Sequence, residues 1–141
     1  MNAPEILTDA ELLAGFQSCR LGEFHHADHV RVAFLYVRRY ACAEALVRFP
    51  AALKRFATAK GKPGLYHETI TWAFLLLIAE RIARWAGEKG KEPDWVEFSA
   101  ANPDLLAWKP GVVHRYYREE TLGSELAKKV FLWPDRAGCP Q

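Results

Sequence analysis

The chain has 141 residues, half of them apolar, 13% aromatic and 26% charged, with a formal net charge of +2. That is enough chain for one domain with a sizeable core, and it excludes a disordered, collagen-like or disulfide-stapled protein. So mild a charge argues against nucleic acid or an anionic membrane surface as a partner.

Helical periodicity runs almost throughout. Thr8-Asp9-Ala10-Glu11 reads as a capping box, with the Thr8 hydroxyl accepting from the third amide and Glu11 reaching back. Leu12, Leu13 and Phe16 then form the apolar face of a short first helix ending near Cys19. A second helix is predicted from about His26 to Arg39. A third spans about Ala43 to Lys60 and must bend or break at Pro50, which has no amide proton. Gly61-Lys62-Pro63-Gly64 is a stop, and a fourth helix follows from about Tyr66 to Ala86, ended by Gly87 and Gly90. Pro93 or Asp94 opens a shorter segment toward Ser99. Asn102-Pro103-Asp104 caps a turn of helix through Trp108, Pro110-Gly111 breaks the chain, and Ser124 to Phe131 is a last helix. With no alternating strand pattern, repeat or linker, the expectation is one all-α domain over residues 1–141, a bundle of about five to six helices.

The three cysteines, Cys19, Cys42 and Cys139, are far apart and odd in number. That fits reduced thiols in a cytoplasm, with Cys19 and Cys42 as small buried hydrophobes. The first residues carry acids and no basic flank, and the longest apolar run, Ile70 to Ala79, is about half a membrane span. A cytoplasmic protein without a membrane partner is expected.

Four of the five histidines mark two helix starts: His25, His26 and His29 on the second helix, His67 on the fourth. At about 100° per residue, Arg31 and Arg38 share a wet side of the second helix, flanked by Asp28 and Arg39. Val32, Ala33, Tyr36, Val37 and Tyr40 lie opposite, with His29 in mid-stripe and His25 and His26 on either side. On the fourth helix Thr69, Glu80 and Arg84 take the wet side with Ala73. His67 aligns with Thr71, Phe74, Ile78 and Trp85, and Glu68 with Leu75, Ala79 and Ala86. A buried carboxylate without a partner costs several kcal/mol, so Glu68 calls for something cationic nearby.

A metal satisfies both helices. His25 and His29, at i and i+4, project from adjacent turns, and His67 from a neighbouring helix completes three nitrogen ligands. Glu68 is then a fourth ligand or the general base beside a metal-bound water. His26, Tyr36 and Thr71 are candidate additions, and His114 is left unoriented. Imidazole with carboxylate suits a divalent transition metal, zinc or iron first, with copper or nickel also compatible. The reading is a cytoplasmic metalloenzyme that activates water or dioxygen on a small organic substrate. A different class competes with it: a non-catalytic helical module for partner binding or self-assembly into a homo-oligomer, its histidines being core hydrogen-bonding residues. Eighteen aromatics, among them Trp95, Trp108 and Trp133, exceed what one modest core needs. A His-based sensor of pH or metal is a third reading.

The combination FHHADHVRVAFLYVRRY followed by GLYHETITWAFLLLIAER resembles an uncharacterised family of small bacterial all-helical proteins with FHHxDHVR and YHETIT motifs. The resemblance covers about residues 16–86. It implies an all-helical domain and assigns no catalytic role.

Overall fold

Local signals set the boundaries of the first helices. The computed structural model describes residues 7–109 and 111–136; Pro110 and Cys139, used above, lie outside them. The Thr8 hydroxyl accepts from the Glu11 amide at 3.1 Å and the Glu11 carboxylate from the Thr8 amide at 2.9 Å, so the capping box opens α1 (Asp9–Gln17). Cys19, at φ +60°, follows it. Asp28 in turn accepts from the His25 amide at 2.9 Å, which starts α2 (His26–Arg39).

The third helix, α3 (Cys42–Ala59), runs through Pro50 without a break. The Leu46 carbonyl loses the bond that Pro50 cannot donate, and burial of Phe49, Pro50, Ala52 and Leu53 holds the helix together. Next comes α4 (Glu68–Lys89), which ends three residues later than predicted: Gly87 is an ordinary interior residue, and Gly90, left-handed at φ +76°, is the C-cap. Short helices complete the chain: α5 (Trp95–Ala101), α6 (Pro103–Leu106), α7 (Glu119–Leu122) and α8 (Glu125–Lys129). The predicted last helix thus starts at its Ser124 cap but stops at Val130, whose backbone is extended. Among the described residues there is no strand, and the protein is all-α.

The core gathers on α4. Helices α2, α3 and α8 pack against it, α1 lies over α2 and α3, and α6 reaches α2. Phe16 is fully buried and rings it touches come from four places: Phe24 at 5.3 Å, Phe56 at 5.4 Å, Phe49 at 5.8 Å and Tyr36 at 6.2 Å. At the other end Phe34 meets Phe98 at 4.7 Å and Trp95 at 5.5 Å. Arg81 grips both Asp104 oxygens at 2.6 and 2.8 Å and Asn102 at 3.1 Å, which ties α4 to α6. Its guanidinium holds the Asp104 carboxyl below the usual range.

Several expected faces are corrected. Thr69 is fully buried rather than wet: its hydroxyl donates to the Val130 carbonyl at 2.8 Å and accepts from the Leu132 amide at 3.2 Å. Together with the Tyr117 hydroxyl on the Leu132 carbonyl at 2.7 Å, this straps residues 130–132 over the start of α4, while the Asp135 and Arg136 amides bond to the Tyr116 carbonyl. Arg31 does not lie on a solvated face either, whereas Arg38 is exposed as expected. Arg31 pairs with Asp9 of α1 at 2.7 Å, and Arg38 donates to the Pro93 carbonyl beside Glu92. Cys19 is half-buried, but Cys42, the first residue of α3, is exposed. None of the described helices is long and apolar enough to cross a membrane.

Candidate functional site

The start of α4 places Tyr66, His67, Glu68 and Thr71 within one turn of each other. His67 is the N-cap in extended backbone, so its ring folds back on the helix and Nδ1 accepts from the Ile70 amide at 3.1 Å. A ring nitrogen that accepts carries no proton, so the proton sits on Nε2, which donates to the Leu122 carbonyl at 2.7 Å. The Thr71 hydroxyl donates back to the His67 carbonyl at 2.7 Å. Glu68 finds a phenol, not the expected cation: the Tyr66 hydroxyl donates to its carboxylate. Burial, reinforced by that bond, holds the Tyr66 phenol well above its ordinary range. Sequence reasoning gave Tyr66 as the approximate start of the fourth helix. The signal that pairs it with Glu68 is the i, i+2 spacing across an extended N-cap, which no helical wheel represents.

The second-helix imidazoles go elsewhere. His25 is exposed, with Nε2 3.3 Å from the Glu23 carboxylate. His26 is partly buried and its Nε2 lies 2.9 Å from the Leu105 carbonyl, so that nitrogen is the donor. The rings of Phe74 and Trp108 stand edge-on to it at 5.5 and 5.4 Å. His29 does point inward as the wheel requires, and stacks on Phe24 at 4.0 Å. Burial lowers its pKa from 6.5 to about 4, the nearby His26 adding to the effect and Asp28 opposing it.

The expected tripod of His25, His29 and His67 is therefore not assembled. Among the described residues no three His, Cys, Asp or Glu side chains converge on a point that could hold a metal ion. The donor chemistry agrees with the geometry. A metal takes a nitrogen lone pair, whereas His26 and His67 each aim an N–H at a carbonyl and the remaining lone pair of His67 is occupied by Ile70. His114 is exposed on the 112–115 turn and does not join them.

Beside Tyr66 lies an open groove of about 430 Å³ between α3 and α8, rimmed by Lys54, Lys128 and Lys129. Lys54 stands over the Tyr66 ring at 4.9 Å, and Lys128 lies 3.7 Å from Glu125. Of the surface aromatics, Trp95 is packed inward, whereas Trp108 and Trp133 are 71% and 81% exposed. Compared with known proteins, the chain matches no family model, no curated protein and no solved structure.

Proposed function

We propose that the protein works by binding rather than by turnover, as a non-catalytic helical module whose histidines brace the fold. One observation carries this reading: His26 and His67 direct their ring N–H groups at the Leu105 and Leu122 carbonyls, fastening late loops onto α2 and α4. Buried carbonyls need donors, and imidazole supplies one at the end of a side chain long enough to reach. The exposed indoles of Trp108 and Trp133 support the binding half of the reading, since Trp is enriched where proteins meet.

The competing reading keeps the metalloenzyme, with zinc or iron on His25, His29 and His67 and Glu68 as base. It requires His67 to release the Ile70 amide from its lone pair, and Leu122 as well if Nε2 is the ligand. Metal analysis of protein purified without an affinity tag, before and after incubation with zinc and with iron(II), separates the two. The binding-module reading expects less than about a tenth of an equivalent in either state, because binding a metal must first break those bonds. Close to one equivalent, lost in His67→Ala, overturns it in favour of the enzyme.

A further inference from the structure

A second groove, of about 340 Å³, opens between α1, α2 and α3. Its polar groups are almost all donors. Tyr36 is 4% exposed, and its hydroxyl accepts from the Gln17 side-chain amide at 3.3 Å. Its own proton has no acceptor among the described residues. Arg48 and Arg55, seven residues apart, share one face of α3 and lie about 10 Å apart along its axis. Arg48 is held in place, paired with Glu44 at 2.8 Å and stacked on the Tyr40 ring at 4.5 Å. Arg55 has no hydrogen-bond or ion-pair partner among the described residues.

We propose that this groove binds a small organic carboxylate with an apolar or aromatic body. A guanidinium fork matches a carboxylate in geometry and charge, and Arg55 is the fork left unpaired. The buried Tyr36 proton supplies a further donor. Because Glu44 already neutralises Arg48, Arg55 is the one uncompensated cation among the residues lining the groove, with Arg39 outside the lining on the Tyr40 ring; a single lining charge suits a monoanion over a phosphate dianion. Between the two arginines the wall is apolar, formed by Ala51 and Ala52, and the largely exposed Val47 and the Tyr40 ring also line the groove. That surface takes the body of the ligand. The groove shares no residue with the α4 site, so its failure would leave the reading of the histidines untouched.

Titration of the full chain with benzoate, followed by amide and arginine side-chain NMR, tests this. Benzyl alcohol and inorganic phosphate serve as the uncharged and dianionic arms. Saturable benzoate shifts are expected at Tyr36 and along residues 47–55, including the Arg55 side-chain signal. Arg55→Gln should weaken binding roughly tenfold or more and Tyr36→Phe roughly threefold, with Lys129→Gln unchanged. Arg55 is exposed, so its variant keeps the test decisive even if Tyr36→Phe perturbs the core. Equal binding of benzyl alcohol, tighter binding of phosphate at the same signals, undiminished binding by Arg55→Gln, or no saturable shift with benzoate would each overturn the proposal.

Discussion

Burial keeps His29 neutral in the folded protein well below the pH at which a free imidazole takes up its proton. In the unfolded chain it binds a proton near pH 6.5, in the folded protein only near 4. The unfolded state therefore holds more protons between those values, and stability falls as pH drops. The full contribution is present above about pH 6.5. At about 1.4 kcal/mol per pH unit, roughly 3 kcal/mol is lost by pH 4. His29→Phe, which keeps a ring against Phe24, should flatten this dependence. Urea midpoints at pH 7, 5.5 and 4.5 would show it, and an unchanged slope would refute the burial argument. The inward face of His29 was legible because the residue already lies inside α2, where a helical wheel applies. His25 was not: it stands in the N-cap position, where extended backbone removes it from the wheel and turns it to solvent. Glu68 was placed half-correctly. Its position off the wet side is right, but the partner is a phenol two residues upstream in the chain.

Helix ends show where local chemistry decides and where tertiary contacts override it. The capping box at Thr8 was readable because its two residues lie three apart in sequence, and of the two openings offered for the next segment, Pro93 or Asp94, the N-cap is Asp94. Two glycines three residues apart were not distinguishable, since each is a stop signal. Their backbones differ: Gly90 is left-handed, whereas Gly87 continues the ladder with open space where a Cβ would stand. Opposite substitution effects follow. Gly87→Ala should stabilise by up to about 1 kcal/mol, because alanine is the better helix former. Gly90→Ala should cost about 1 kcal/mol, because a Cβ is strained at that φ. Thermal melts of the two variants check this, and shifts of the same sign would contradict it. The final helix was overextended for a tertiary reason: the Val130 carbonyl turns away to meet the Thr69 hydroxyl.

For the molecule as a whole, the all-α class followed from periodicity, but the docking of residues 130–132 on α4 did not. Thr69 looks like a surface residue on a wheel that cannot include a later segment of chain. With Thr69→Val the Val130 carbonyl and Leu132 amide lose their shared partner, at a cost of about 2 to 3 kcal/mol. Hydrogen exchange should accelerate across residues 130–132 and much less at Leu75 and Ile78; uniform acceleration would mean the strap is not a separable unit. The same fastening has a meaning for synthesis. Domains begin to fold while the ribosome is still extending them, and the bundle around Phe16 is complete in sequence by Phe56. The Thr69 hydroxyl and the Trp72 ring, which Phe131 covers at 5.5 Å, wait for a piece made about sixty residues later. A nascent chain stalled before that point would carry a wet threonine and a bare indole at the mouth of its central helix.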